Sequence, residues 1–178
     1  MNTEPGARNR KPPSPHHRRP RSRTVGYAAP FRAKVFDMGE PVGMKVDHVG
    51  IVVADIDAVA DEYAQVLGGV RLGGMVHDPM QKVDIQFLGL PDGSRIELIR
   101  PAGSDSPVAQ ALAKGGGLNH ICYEVPDIER AIREALSTRA LCVCPPTPAV
   151  AFGGRRVAFL FTKHIGLFEF VEQPGVGD

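Results

Sequence analysis

The stretch DHVGIVV at residues 47–53 decides the fold, because a related stretch, NHICYEV, stands 72 residues later at 119–125. With that shift, residues 48–97 align with 120–169 without a gap, and eight of the fifty aligned pairs are identical. Conservative pairs such as Val49 with Ile121 strengthen the match. Self-similarity at a fixed period indicates a duplicated structural unit.

The first half predicts one helix among four strands. A strand rich in Val and Ile covers 46–53. A helix over about 56–67 follows, capped by Asp55 and ended by Gly68-Gly69. Its predicted buried stripe consists of Val59, Tyr63, Val66 and Leu67. The remaining strands are predicted near 69–77, 82–90 and 94–100.

The second half repeats this order. A strand over 120–125 leads to a helix that starts at Pro126-Asp127 and buries Ile128, Ala131, Ile132 and Leu136. Its other strands are predicted near 141–144, 155–162 and 166–172. Between the halves, Asp105-Ser106-Pro107 predicts the start of a short helix that reaches about Lys114.

The resulting fold class is α+β, with two tandem βαβββ modules. One four-stranded module alone would leave an apolar face exposed, so the two are expected to form a curved eight-stranded mixed sheet around a cleft. The predicted domain covers 44–178, with module one at 44–101, a linker helix within 102–117 and module two at 118–173.

Charge separates this domain from residues 1–43. That segment carries nine Lys or Arg residues and three acidic residues, which gives a formal charge of +6. Residues 44–178 carry twelve Lys or Arg residues and seventeen acidic residues, which gives a formal charge of −5. It also holds seven of the sixteen prolines and shows no apolar periodicity, so it is predicted to be a disordered basic tail. An extension from a start codon placed ahead of Met44 is the alternative.

Composition excludes several classes of protein. No apolar run approaches the length of a membrane span. Trp is absent and aromatic residues make up 6%, which argues against a stacking surface and a nucleic-acid partner. Three cysteines form no closed disulfide framework, which favours a reducing, cytoplasmic setting. Cys122, Cys142 and Cys144 are interpreted as buried packing residues.

The duplication places a His and a Glu at equivalent positions in both halves. His48 and Glu97 are 49 residues apart, as are His120 and Glu169. Each Glu alternates with large apolar neighbours, so it faces away from them and toward the cleft. Two imidazoles and two carboxylates suit a divalent first-row metal such as Co, Mn, Ni, Zn or Fe. The cleft is therefore predicted to contain one metal ion.

These residues also carry a family resemblance. The segments DHVGIVV at 47–53, IELI at 96–99, LNHI at 118–121 and LFEF at 167–170 resemble the vicinal oxygen chelate superfamily, which includes glyoxalase I, extradiol dioxygenases and resistance proteins. The resemblance covers about residues 45–173. Within the superfamily, the linker through His120 and the segment 153–160 look most like methylmalonyl-CoA epimerase.

The epimerase resemblance implies a ligand set and a reaction. Its metal ligands fall at His48, Glu97, His120 and Glu169, although some members have Gln at the second position. Its chemistry removes the proton between a carboxylate and a thioester carbonyl, and the metal stabilises the resulting enolate. Glu169 and Asp84 fall at the positions expected to act as catalytic acid–base groups.

Three further residues are candidates for substrate binding. Gln86 shares a strand face with Asp84 by alternation, and both are expected to line the cleft. Arg156, the repeat partner of Asp84, is expected to bind a substrate carboxylate from across the cleft. Asn119 stands where the epimerases usually have the first of two adjacent histidines.

The sequence thus predicts a metal-dependent epimerase or isomerase acting on a small-molecule substrate, such as an acyl-CoA, with an acidic α-proton. A glyoxalase I-like lyase or another enzyme of the superfamily serving a biosynthetic pathway is the first alternative. A non-enzymatic binding protein of the resistance type is the second, and the intact His and Glu quartet argues against it. The resemblance also implies a homodimer.

Overall fold

A computed structural model describes Met1 and residues 43–175. The described helices and strands run from Lys45 to Glu172 and fall within one unit. The predicted tail lies almost entirely outside the described residues, so its disorder and the domain boundary at residue 44 stay predictions. None of the described helices is both long and apolar enough to cross a membrane.

The two halves follow the same order of elements, joined by a short helix. The first half contains β1 (Lys45–Val52), α1 (Ile56–Leu67), β2 (Val70–Asp78), β3 (Val83–Gly89) and β4 (Arg95–Pro101). The linker holds α2 (Ala109–Ala113). The second half contains β5 (Gly117–Val125), α3 (Ile128–Ser137), β6 (Leu141–Pro148), a 3₁₀ turn (Val150–Phe152), β7 (Arg156–Thr162) and β8 (Gly166–Glu172).

All eight strands form one sheet in the order β2-β3-β4-β1-β5-β8-β7-β6. β1 pairs with β4 in parallel, and β5 pairs with β8 in the same way. The halves join at the centre, where β1 and β5 run antiparallel. The predicted α+β class and the eight-stranded mixed sheet are confirmed.

Local sequence signals explain the first long helix. Asp55 Oδ1 accepts hydrogen bonds from the amides of Asp57 and Ala58 at the start of α1, and Gly68 ends the helix in the left-handed conformation (φ +68°). The predicted buried stripe is partly wrong. Ile56 and Ala60 are the buried residues of α1, whereas Val66 and Leu67 lie exposed in its last turn.

The other two helices also differ in detail from the prediction. In α3, Ile128, Ala131 and Ile132 are buried as expected, but Leu136 is exposed in the final turn. The linker helix starts at Ala109, later than Pro107 suggested, and its cap residue Val108 makes no side-chain hydrogen bond. Short helices of this kind depend on packing more than on caps.

Each half of the sheet has apolar side chains on both faces. One face packs on the helices: Leu88, Ile96 and Leu98 cluster with α1, while Ala158, Leu160, Phe168 and Phe170 cluster with α3. The opposite face carries a third cluster that includes Val83, Ile85, Phe87, Ile99 and Val157. Four of these five, all except Phe87, line the cleft, so the cleft lies on the face away from the helices.

Candidate metal centre

Neighbouring strands bring four side chains together at the centre of the sheet. His48 on β1 and His120 on β5 approach across the antiparallel pair, and their Nε2 atoms lie 3.2 Å apart. Glu97 on β4 and Glu169 on β8 complete the group from the two parallel pairings. Glu169 Oε2 lies 3.4 Å from His48 Nε2 and 3.2 Å from His120 Nε2. Glu97 Oε2 lies 3.3 and 3.5 Å from the same two nitrogens.

The chemistry and spacing of this group fit a metal ion. All four side chains are at most 4% exposed. Donors bound at about 2.0–2.2 Å to one ion lie roughly 3–3.6 Å from one another, which matches the observed separations. Glu169 Oε2 is buried and has no hydrogen-bond partner among the described residues. A buried carboxylate oxygen without a partner is costly, and a cation would satisfy it.

Both histidines are oriented by the residue that precedes them. His48 Nδ1 donates to Asp47 Oδ1 at 2.9 Å, and His120 Nδ1 donates to Asn119 Oδ1 at 3.0 Å. A neutral ring with its proton on Nδ1 would present the lone pair of Nε2 to the centre. This is the tautomer that a metal ligand requires.

The surrounding packing makes room for the two rings. A Cβ built on Gly50 would lie 2.6 Å from His120 Nδ1, so the ring fits only because residue 50 lacks a side chain. Phe152 stacks on His48 with ring centroids 5.6 Å apart, and Phe159 contacts His120 edge-on at 5.3 Å. Tight contacts on several sides hold both imidazoles in one orientation.

The electrostatics of the cluster favour positive charge. Burial by itself lowers the pKa of His48, but its contacts with Asp47, Cys122 and the two glutamates raise that pKa above its ordinary value. Burial raises the pKa of Glu169, but the neighbouring His120 and His48 outweigh it and lower that pKa. The two shifts share one cause, the mutual attraction at short range between a positively charged imidazole and an ionised carboxylate.

A cleft of about 450 Å³ opens beside this group and is lined by three of its members, Glu97, His120 and Glu169. Its walls are mainly apolar, with Ile85 and Ile99 from one half and Val157 and Phe159 from the other. Its uncharged polar residues are Gln81, Asn119, Cys144 and Thr147. Among the described residues that line it, Glu97 and Glu169 are the only carboxylates, and none carries a Lys or Arg side chain.

Asp84 and Gln86 lie elsewhere, contrary to the expectation that they line the cleft. The two side chains do share one face of β3, but this face points away from the cleft. Asp84 accepts hydrogen bonds from Arg100 Nη2 at 2.7 Å and contacts His77 Nδ1 at 2.9 Å. Gln86 is buried and donates to the carbonyl of Phe87 at 3.0 Å. The Arg100 hydrogen bond holds the pKa of Asp84 below its usual range.

Arg156 is also absent from the cleft, against expectation. Its guanidinium donates to both carboxylate oxygens of Glu172, at 2.6 and 2.8 Å, and pairs with Glu129 at the start of α3. These carboxylates already occupy its donors on the helix side of the sheet. Asn119, by contrast, does line the cleft beside His120.

Several residues around the site were missed or misread from the sequence. The sequence did mark Asp47 and Gly50 as possible neighbours of the site, because each stands within two residues of the repeated His48. Nothing in the sequence marked Gln81 and Thr147 as cleft residues, since they reach the cleft from segments outside the matched motifs. Of the three cysteines interpreted as buried packing, only Cys122 is buried; Cys142 is exposed, and Cys144 is half-buried and lines the cleft.

Comparison with known proteins places these features in context. The family model described as the glyoxalase/bleomycin resistance protein/dioxygenase superfamily matches residues 47–159. The ethylmalonyl-CoA/methylmalonyl-CoA epimerase of Cereibacter sphaeroides is 36% identical over 121 residues, which cover 67% of this chain and 89% of that protein.

Solved structures of methylmalonyl-CoA epimerases are also similar to this chain. The methylmalonyl-CoA epimerase of Mycobacterium tuberculosis superimposes with a TM-score of 0.65 at 28% identity, over 72% of this chain and 87% of its own. A Streptomyces coelicolor methylmalonyl-CoA epimerase variant, in complex with 2-nitronate-propionyl-CoA, gives a TM-score of 0.64 at 27% identity, over 74% and 98%.

Proposed function

The chain belongs to the glyoxalase/bleomycin resistance protein/dioxygenase superfamily, and from this premise we propose that it is a divalent-metal-dependent epimerase of the methylmalonyl-CoA epimerase type. The proposed substrate is an acyl-CoA whose α-carbon lies between a carboxylate and the thioester carbonyl. The similarity to epimerases supports the reaction class. The convergence of two imidazoles on the unpartnered, buried Glu169 Oε2 is the observation that carries the proposal.

The proposed ligands are His48, Glu97, His120 and Glu169. A divalent ion held by them would act as a Lewis acid and stabilise the negative charge that develops when the α-proton leaves. The chain itself fixes the donors, because each histidine is oriented through Nδ1 and each glutamate is held on a paired strand.

Glu169 is the proposed base that removes the α-proton. It lines the cleft, so its carboxylate borders the space that a substrate would occupy. Asp84 is not proposed for this step, because it lies on the other face of β3. The apolar walls formed by Ile85, Ile99 and Val157 exclude water, which strengthens electrostatic interactions inside the cleft.

Substrate binding is proposed to rely on uncharged donors. The described cleft offers the side-chain amides of Gln81 and Asn119 as donors and contains no Lys or Arg side chain, while the Thr147 hydroxyl already donates to the carbonyl of Pro145 at 2.9 Å. A substrate carboxylate would therefore find neutral hydrogen-bond donors from the chain itself. Its charge would have to be balanced at the metal centre, which makes the reaction depend on the four ligands.

The test joins metal analysis to isotope exchange. The purified full chain is expected to retain about one divalent ion and to exchange the α-proton of methylmalonyl-CoA for deuterium in D₂O. Treatment with a chelator should stop the exchange, and adding back Co²⁺ should restore it. Bound metal without exchange would overturn the epimerase assignment, and exchange by metal-free protein would overturn the metal dependence. The homodimer and the cytoplasmic location stay predictions.

A further inference from the structure

The two histidines of the proposed metal centre have unequal partners. Asp47 and Asn119 occupy equivalent positions in the two halves, and each accepts a hydrogen bond from Nδ1 of the histidine that follows it. The two distances, 2.9 and 3.0 Å, are nearly the same. The geometry is thus conserved between the halves while the charge of the acceptor is not.

A second difference accompanies the first. Arg95 Nη1 donates to both oxygens of Asp47, at 3.0 and 3.2 Å, and the Asp47 side chain is only 8% exposed. The Arg95 guanidinium also lies 4.6 Å from the centre of the Phe87 ring, which itself contacts His48 edge-on. The repeat partner of Arg95 is Leu167. Both members of the Asp47–Arg95 ion pair therefore have neutral counterparts in the second half.

This difference matters for a metal ligand. A carboxylate that accepts from Nδ1–H makes the opposite nitrogen a stronger donor and holds the ring more firmly than an amide oxygen does, because the hydrogen bond is charge-assisted. Arg95 keeps Asp47 in place and compensates its buried charge. His48 thus has an oriented, charged partner, whereas His120 has only a neutral one.

We propose that Asp47 and Asn119 are positioning residues that make the two histidines unequal metal ligands, with His48 as the strong, anchoring ligand and His120 as the weaker one. This inference rests on the metal centre of the proposed function. It assigns the strength of metal binding mainly to the Asp47–Arg95 pair, neither member of which lines the cleft.

Reciprocal substitutions test the proposal on the full chain. Co²⁺ affinity is measured by competition with a chelator, and the visible spectrum of the bound ion reports its ligand field. Asp47→Asn is expected to weaken Co²⁺ binding by about 10–100-fold, the usual effect of losing such a partner. Asn119→Asp is expected to tighten it by about tenfold. The two variants should move the Co²⁺ spectrum in opposite directions.

Two controls keep the outcomes distinct. Arg95→Leu copies the residue of the second half and should weaken binding less than Asp47→Asn, while Asn119→Ala should weaken it only a few-fold. Thermal unfolding checks each variant, and if Asp47→Asn fails to fold, the gain in Asn119→Asp decides the question. Equal affinities of the wild type and both reciprocal variants would overturn this inference alone. No Co²⁺ binding by the wild type would overturn the metal centre as well.

Discussion

The two halves of the molecule share one backbone plan but surround the proposed centre with different side chains. Each half supplies one His and one Glu from the same positions. At other equivalent positions they diverge: Gly50 corresponds to Cys122, and Asp78 corresponds to Val150. The duplication has therefore kept the donor atoms and changed what supports them, so equivalent substitutions in the two halves should have unequal effects.

The largest difference in α-proton exchange is expected between substitutions of the two proposed ligand glutamates, Glu169 and Glu97. Glu169→Gln removes the proposed base and the charge of the more buried of the two proposed ligand carboxylates, so α-proton exchange should fall by about 10²–10⁴-fold. Glu97→Gln keeps an oxygen donor at a residue with no proposed role in proton transfer, so exchange should fall far less. Deuterium exchange on methylmalonyl-CoA, with the metal content of each variant measured, checks this. Equal losses in the two variants would contradict the assignment of Glu169.

The next largest difference, in metal affinity, is expected between substitutions of the equivalent residues Gly50 and Cys122. Gly50→Ala places a methyl group 2.6 Å from His120 Nδ1, so the ring has to leave its position, and Co²⁺ affinity should fall by about 100-fold. Cys122→Ala removes a buried sulfur that contacts His48 but pushes neither imidazole from its position, so it should lower metal affinity less than Gly50→Ala does. Chelator competition measures both. If Gly50→Ala bound Co²⁺ as tightly as the wild type, the close approach of His120 would not be essential to the site.

The four proposed ligands were accessible to sequence reasoning because the duplication marks them. A lone histidine carries little information, but His48 and His120 stand in register with Glu97 and Glu169 over the same separation. The helix α1 was also predictable, since Asp55 and Gly68 are local signals that act without the rest of the fold. Duplicated positions and helix termini are thus the features that a single sequence reveals well.

The orientation of β3 was not predictable in the same way. Alternation correctly groups Asp84 with Gln86, but it does not say which face meets the cleft. Both faces of this strand are apolar, since Ile85 lies toward the cleft and Leu88 toward α1. The register with β4 puts Phe87 opposite Glu97, so Ile85 and Phe87 share the face of Glu97, and Asp84 and Gln86 take the other face. Without this register, alternation alone leaves both orientations of β3 open.

A smaller effect, on stability, is expected from Asp78. This residue is fully buried, and its carboxylate accepts from the amides of Met80 and Gln81 at 2.9 Å and from that of Val150, in the other half, at 3.3 Å. Asp78→Ala leaves these donors unpaired and should lower the free energy of unfolding by about 2–3 kcal/mol.

Val150→Ala is the matched control for Asp78. It changes the equivalent position in the second half, where the side chain is 54% exposed, and should cost no more than about 0.5 kcal/mol. Urea unfolding compares the two variants. Similar losses would mean that the polar contact between the halves contributes little to stability.

The smallest effect should come from the ion pair of Asp84 with Arg100, on the sheet face away from the cleft. Arg100 is 39% exposed, so Arg100→Met should lower the free energy of unfolding at pH 7 by no more than about 1 kcal/mol. Its hydrogen bond lowers the pKa of Asp84 in the folded state. The pair therefore stabilises the fold above the ordinary pKa of an aspartate, about 3.9, and this contribution disappears as the pH falls through the lowered value.

Urea unfolding of the wild type and Arg100→Met at pH 7, 5 and 3 tests that dependence. The difference between them should be similar at pH 7 and 5 and should begin to shrink at pH 3, because below the ordinary pKa of an aspartate the unfolded chain binds a proton at Asp84 that the folded wild type does not yet bind. Isotope exchange at pH 7 should be nearly unchanged, since Asp84 faces away from the cleft. A large loss of exchange in Arg100→Met would instead connect this face of β3 to the reaction and restore Asp84 as a candidate for proton transfer.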